Sequence, residues 1–511
     1  MGSNARWRIV VARWHRAVLC AGLLATVVTA CSVLLNHDKS QCDRDGDCVT
    51  TGGNWTCQNH VCVGSELGPP GCFSGVPTTQ GEFANQCSVA TCAAFDNCNR
   101  LHLCTADQQA PPAVTPMRPD AGVPADASTV DAPDPPVLPP CVDPSRFTVV
   151  VGGSTAVQPL LSTVAPLLAA GSPPYQIAYQ PSGSCTGVDG MFDLSKQMIK
   201  DIPGKQALLF GTDGKSTACT FGSGASLDVA VSDVYGTSCN ASYTVPARLA
   251  EYLGPIQPMT FVVKATSTET AISAAMAHVV FGRGNTDNLS EPYRDPSLYF
   301  VRNASSGTQQ MIARAIGVDA KQWWGLDQGG SSKVRDVLLS VDSRVESSAI
   351  GILSSDFADT ERSRLRILAF KGDQQTCAYY PDSSVNTRNK NNVRDGHYGI
   401  WGPVHFYAQV SGGVPNAAAA ALVTQFTLPR LDQSLLDAII KIGFVPPCAM
   451  KVKRDTEMGP LAPYSPQFQC GCYFESKVPD GAASASCQTC GGPADCPAGA
   501  PACNNGYCEL K

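Results

Sequence analysis

Charge is scarce in this chain of 511 residues: Asp, Glu, Lys and Arg make up 16% of it, and the formal net charge is −6. A net acidic chain is a poor nucleic-acid binder, whatever one local patch does. Long apolar runs are scarcer still. The apolar stretch 17–30 is about as long as a signal-peptide hydrophobic region and too short to span a bilayer as a mature helix. Histidines number 7, of which only His278, His397 and His405 fall between 147 and 448, and no Gly-x-Ser-x-Gly turn accompanies them there. Hydrolysis by a nucleophile beside a base therefore has little to work with.

What is present begins with an export signal. The first sixteen residues carry Arg6, Arg8, Arg13 and Arg16 with no acid, and the apolar run then ends in VTACS (28–32). That ending resembles the bacterial lipobox, in which the cysteine receives diacylglycerol and becomes the mature N-terminus. Residues 1–30 are then a lipoprotein signal peptide and Cys31 is the lipidated residue. Their removal takes four arginines and no acid, moving the formal charge from −6 to −10. The expectation is an exported protein, lipid-anchored to the bacterial cell envelope on its periplasmic side or at the cell surface.

Setting aside Cys20 and Cys31 leaves 22 of the 24 cysteines, an even number in an oxidising compartment, so disulfides are expected. Nine lie between 42 and 104, making 31–105 an anchor and Cys-rich module. Seven more lie between Cys470 and Cys508, so 449–511 reads as a second. Both counts are odd. Each module then borrows a neighbour, Cys141 for the first and Cys448 for the second, leaving Cys185, Cys219, Cys239 and Cys377. Between the first module and the central region, 106–145 holds eleven prolines without hydrophobic periodicity, an extended spacer reaching on the order of 100 Å.

From 147 to 448 short apolar runs alternate with amphipathic stretches, the pattern of an α/β domain. Candidate strands are 147–151, 175–179, 228–231, 261–264, 298–301, 349–353 and 365–370. Four of these runs empty into small, hydroxyl-rich or charged residues. After the first come Ser154 and Thr155, and after the second Gly183, Ser184 and Gly187. The third delivers Asp233, and the fourth is followed by Arg302 and then Ser305, Ser306, Gly307 and Thr308. In open α/β sheets ligands bind outside the carboxyl ends of strands, so these loops would face one crevice. Helix N-termini there offer free amides and the positive end of a dipole, while Arg302 offers a planar fork for two oxygens. Asp233 is informative because a carboxylate repels an anion unless that anion carries a proton to donate. Hydrogen phosphate has one and sulfate does not.

The segments GGSTAVQPLL (152–161), IAYQPSGSCTGV (177–188), DVAVSD (228–233), VRNASSGT (301–308), AIGIL (349–353) and IIKIGFVPP (439–447) resemble, in order, the PstS-type phosphate-binding proteins of bacterial ABC transporters. The resemblance implies a two-lobed type II periplasmic binding-protein fold with a hinge, flanked here by small disulfide-rich modules. Lobe one would be 146–257 plus 367–448, and lobe two 258–366. The phosphate ligands would fall on Ser154, Thr155, Ser184, Asp233, Arg302, Ser306, Gly307 and Thr308. No cofactor or metal is implied. The implied partners are inorganic phosphate and an ABC permease, the membrane being touched only through the lipid, and the protein would be a monomer. The stretch 189–227 is longer than usual in that family, and Cys185 and Thr186 replace its small residues. The flanking modules keep open an alternative, a structural or adhesive surface lipoprotein that reuses the fold without ligand. A phosphate-ester hydrolase is the remaining possibility.

Other motifs read as structure. Asp43, Asp45 and Asp47 hint at a calcium loop but lack its terminal glutamate, so a charged turn is expected. The pairs Cys470, Cys472 and Cys487, Cys490 have metal-ligand spacing but no nearby histidine, which favours disulfides. His278 sits at helical spacing among apolar residues, and Trp323 and Trp324 read as packing.

Overall fold

A computed structural model describes residues 72–103, 112–115 and 137–511 apart from 285, 287, 480, 482 and 483, together with two short strands, Trp55–Gln58 and Val61–Gly64. The chain divides into two units, Met1–Gly68 and Pro69–Lys511. In the first, the two strands pair antiparallel with Cys57 opposite Cys62. The expected signal peptide, Cys31, the 43–47 turn and most of the spacer lie outside the described residues. Among the described residues no helix is long and apolar enough to cross a membrane.

In the second unit the runs of buried β-branched residues become strands and the amphipathic stretches become helices. In chain order they are β1 (Phe147–Gly153), α1 (Gln158–Ala169), β2 (Tyr175–Gln180), α2 (Ser184–Phe192), β3 (Ala207–Phe210), β4 (Ser216–Cys219), β5 (Val229–Ser232) and β6 (Leu249–Lys264). Then follow β7 (Ala271–Ser273), α3 (Ala274–Arg283), β8 (Tyr299–Val301), α4 (Gly307–Ile316), β9 (Leu326–Asp327), α5 (Ser331–Ser340), β10 (Ile350–Ser354) and α6 (Ser355–Asp359). The two lobes close with β11 (Leu365–Ile367), β12 (Ala369–Lys371), β13 (Trp401–Ser411), α7 (Ala417–Thr427) and α8 (Gln433–Lys441), and short elements follow in the C-terminal segment. Six of the seven candidate strands appear as single strands here, and the seventh, 365–370, is two short ones, β11 and β12, parted at Leu368. One is far longer than expected: β6 begins at Leu249, hidden in the sequence by Gly254, Pro255 and Pro258. Those residues fall at or near a register irregularity between Leu253 and Ile256, where the ladder can spare a donor.

One sheet runs β9-β8-β10-β6-β13-β5-β1-β2-β3-β4. Its two long antiparallel members, β6 and β13, are shared by two lobes. On one side they join β5, β1 and β2, whose core holds Val149, Val151, Leu160, Phe406, Leu422 and Ile439. On the other, β6 pairs with β10 through Met259 to Val262, over a core of Phe261, Phe281, Tyr299, Ile312 and Trp323. The chain crosses back at Ile400–Trp401, where Pro258 faces Trp401 and the Met259 amide donates to Ile400 O at 2.9 Å. Residues 367–371, placed with the first lobe on sequence, pair here with β6 at Ile367 and with β7 at Ala369–Lys371, beside the second lobe.

The cysteine-rich ends are sewn to this body. Phe83, Phe95 and Leu101 enter the second lobe's core, and Cys92 is bonded to Cys377. Tyr473 and Phe474 enter the same core, and the Cys448–Cys470 bond ties the C-terminal segment on, as the odd count required. Cys141 corrects the sequence reading: it bonds Cys219 at the end of β4 rather than a cysteine of the N-terminal module. The residues with metal-ligand spacing are all in disulfides, Cys472–Cys487 and Cys490–Cys503 among them. The pieces of the expected spacer that are described are docked. Pro112 O meets His278 Nε2 at 3.0 Å, and the Trp324 indole donates to Thr115 O at 2.7 Å. His278 is thus a structural histidine, as its spacing indicated.

Candidate functional site

The loops singled out on sequence meet at the junction of the lobes. β1 ends in Gly152 and Gly153, and Ser154 then caps a 3-10 turn by accepting from the Ala156 amide at 3.1 Å. This exposes Thr155 to the second lobe, where its Oγ1 accepts from Arg302 Nη2 at 3.0 Å. β2 leads to Gly183, whose φ of +108° suits glycine, and a Cβ there would come within 2.9 Å of Ser305 Oγ. The chain then starts α2 at Ser184, and the Cys185 amide donates across the junction to Ser305 O at 3.0 Å. β5 is buried along its length and delivers Asp233 at its carboxyl end. Ser184 Oγ donates to Asp233 Oδ2 at 3.4 Å.

From the other lobe, β8 is followed by Arg302, held by three contacts. Its amide donates to Gln309 Oε1 at 2.9 Å, Nη1 to Ser331 Oγ at 2.9 Å, and Nη2 to Gly329 O at 3.4 Å. Ser306 precedes α4, which opens on Gly307 and Thr308, all three buried. A Cβ on Gly307 would overlap Ser184 Oγ and approach Asp233 Oδ2 to 2.7 Å. The structure therefore brings Ser154, Thr155, Ser184, Asp233, Arg302, Ser306, Gly307 and Thr308 to one place. Gln257, on β6, adds a tie between lobes by donating to Ala156 O at 3.0 Å and to Asp356 Oδ1 at 2.9 Å.

Three helices, α2, α4 and α5, begin at this junction without a side-chain cap bond. Their first amides and dipoles favour negative charge. Asp233 Oδ1, Arg302 Nε and Thr308 Oγ1 are sealed from solvent with no hydrogen-bond partner. Buried polar atoms in that state are costly, and three of them meet here. Burial pushes the Asp233 carboxyl up to about 6 against the pull of Ser154, Arg302, Ser184 and His405. Burial likewise lowers the Arg302 guanidinium, with Asp233, Asp327 and Tyr179 opposing.

Sequence reasoning missed several groups here. Ser331 and Gly329 hold the guanidinium, and the GGSS run at 329–332 after a two-residue strand was their signal. The Tyr179 hydroxyl donates to Ser154 O, fixing the first loop from beneath. Lys205 Nζ donates to Ser182 O at 2.8 Å, beside the second loop. Burial and the Arg302 charge lower its pKa. The departure at Cys185 resolves into a disulfide, Cys185–Cys239, which joins the residue after Ser184 to the helix after Asp233, while the stretch 189–227 forms β3 and β4 and bonds Cys219 to Cys141.

No protein-family profile matches the chain, and no curated protein matches it in sequence. Among solved structures it is similar to an ABC-type phosphate transport receptor from Vibrio cholerae, at 15% identity over 58% of this chain and 99% of that one, with a TM-score of 0.38. A phosphate-binding protein from Stenotrophomonas maltophilia is similar at 14% identity over 59% and 91% of the two chains, TM-score 0.36. The reduced regulatory domain of OxyR from Pseudomonas aeruginosa matches at 10% identity over 57% and 96%, TM-score 0.31.

Proposed function

We propose that this chain is an extracytoplasmic solute-binding lipoprotein that takes inorganic phosphate between its lobes, for ABC-type uptake or for sensing. The supporting observation is the set of buried, unpartnered atoms Asp233 Oδ1, Arg302 Nε and Thr308 Oγ1 where three uncapped helices begin. Donors suited to an oxyanion outnumber acceptors there, and the single carboxylate selects an anion that carries a proton. Hydrogen phosphate meets both demands. The lobes, linked by β6 and β13, would close over it as a hinged pair. A micromolar affinity needs about 8 kcal/mol, which several charge-assisted bonds at roughly 1.5–3 kcal/mol each supply after association costs. The lipid at Cys31 would hold the protein at the membrane beside its permease, and the protein acts as a monomer without a cofactor.

A second reading draws on the direct bonds across the junction, Arg302 to Thr155 and Cys185 to Ser305. Protein groups that pair across a cleft suit a surface protein that keeps the fold without a ligand. Titration calorimetry separates the two. Phosphate should bind at about micromolar concentration or tighter, and sulfate roughly tenfold to a hundredfold more weakly, since it leaves a buried acceptor unpaired. Absence of heat with phosphate would leave the surface role.

A further inference from the structure

Behind Asp233 lies a second buried polar cluster, supplied by the chain beyond the two lobes. The hairpin Val452–Lys453 with Ala462–Pro463 is fastened at its base by Cys448–Cys470, and its loop reaches back to the lobe junction. There Glu457 Oε2 accepts from the Tyr235 amide at 3.1 Å and from Ser238 Oγ at 3.5 Å. Tyr235 lies two residues after Asp233, so the carboxylate caps the turn that carries Asp233. The Tyr235 hydroxyl donates to Arg454 O at 3.0 Å, closing the contact from the other side.

Further contacts extend this network to both lobes. Arg454, buried, stacks its guanidinium 4.2 Å from the centre of the Trp401 ring and donates to Trp401 O at 3.3 Å, where the chain crosses between lobes. Arg314, on the same helix as Gly307 and Thr308, donates through Nε to Ser238 Oγ at 3.0 Å. A chain of contacts thus runs from α4 through Arg314 and Ser238 to Glu457 and on to the Asp233 turn. Glu457 Oε1 is sealed and unpartnered, and a Cβ on Gly402 would lie 3.6 Å from it and 3.3 Å from Asp233 O.

We infer that Glu457 is a positioning residue for anion binding: the C-terminal segment inserts it to fix the Asp233 turn and to couple that turn to the helix of the opposite lobe. The inference rests on the phosphate reading above. It gives the hairpin after Cys448 a role in affinity rather than in mere attachment.

The test is calorimetry with inorganic phosphate on the full chain, paired with thermal melting in its absence. Glu457→Ala should weaken phosphate binding about tenfold, the order a lost charge-assisted hydrogen bond carries, and leave the ligand-free melt near that of the native protein. Glu457→Gln, which keeps an oxygen acceptor for Tyr235 and Ser238, should restore most of the affinity, whereas Glu457→Met, which fills a similar volume without an acceptor, should stay weak; a methionine variant of native affinity would assign the residue to packing and overturn the inference. If Glu457→Ala does not fold, Ser238→Ala cuts the link to Arg314 with the carboxylate in place and should cost about threefold. Native affinity in Glu457→Ala or, failing that, in Ser238→Ala overturns the inference, as does a glutamine variant as weak as alanine. In those cases an Arg302→Ala variant that still loses phosphate leaves the phosphate reading standing. A native protein that takes up no phosphate overturns both.

Discussion

Gly307 and Asp233 meet across the lobe junction with no room for a methyl group between them: a Cβ on Gly307 would lie 2.7 Å from Asp233 Oδ2 and 2.9 Å from Asp233 Cβ. Neither partner can retreat cheaply, since Gly307 opens α4 and Asp233 ends a fully buried strand. Gly307→Ala is acceptable to the helix itself, which gains up to about 1 kcal/mol from alanine. The cost falls on closure. Phosphate affinity should drop at least about tenfold while the ligand-free melting temperature holds or rises. Calorimetry and a melt on the same sample check both halves.

Arg302 supplies the site's fork. Its two terminal nitrogens are already aimed by Ser331 and Thr155, and its Nε is sealed and unpartnered. Arg302→Ala should weaken phosphate binding by about 2 kcal/mol or more, roughly thirtyfold, with the fold intact. Arg302→Lys keeps the charge but presents one point instead of a planar fork, so it should recover only part of the loss. Unchanged affinity in the alanine variant would remove Arg302 from the site.

Much of this site was legible because each loop follows a buried strand whose β-branched residues announce it. Val149 to Val151, Val229 to Val231 and Phe300 to Val301 all read correctly as strands, and the candidate residues Thr155, Asp233 and Arg302 follow them within four positions. What stayed hidden has physical causes. Ser331 follows a strand of only two residues, too short for any alternation. The first half of β6 was masked by a glycine and two prolines that its irregular register tolerates. Disulfide pairing depends on which strands lie side by side, so Cys141 could not be matched to Cys219 from spacing. The ends looked like free-standing modules because their apolar residues are too few for a core of their own. Phe83, Phe95, Tyr473 and Phe474 instead complete the second lobe.

Burial makes an ionised Asp233 costly to stability. Its folded carboxyl titrates near 6 against 3.8 for an ordinary aspartate, because burial disfavours the charge. Between those values the folded state binds a proton that the unfolded chain does not, so this group's contribution to stability falls as pH rises through the window. Above it, the buried charge costs roughly 3 kcal/mol. Asp233→Asn removes the charge. The ligand-free variant should be more stable than the native protein at about pH 8, and that advantage should largely vanish by about pH 4. Because an amide donates as well as accepts, the same variant should admit sulfate nearly as well as phosphate. Melting curves at the two pH values test the first claim, and competition between the anions tests the second. Equal exclusion of sulfate would end the proton-reading argument.

The Cys185–Cys239 disulfide offers a way to separate stability from preorganisation. It closes a loop of 54 residues, for which chain entropy gives about 4 kcal/mol, and it joins the neighbour of Ser184 to the helix following Asp233. Cys141–Cys219 closes a loop of 78 residues and is the more deeply buried of the two, but it fastens the far edge of the first lobe at β4. Replacing either pair by alanines should lower stability by a similar amount, roughly 2–4 kcal/mol. Only the first replacement lets the Ser184 and Asp233 loops move independently. It should therefore reduce phosphate affinity several-fold, about the value of one ordered polar contact, whereas the Cys141–Cys219 variant should bind as the native protein does. Equal affinities in the two variants, measured by calorimetry well below either melting temperature, would show that the Cys185–Cys239 bond serves the fold alone.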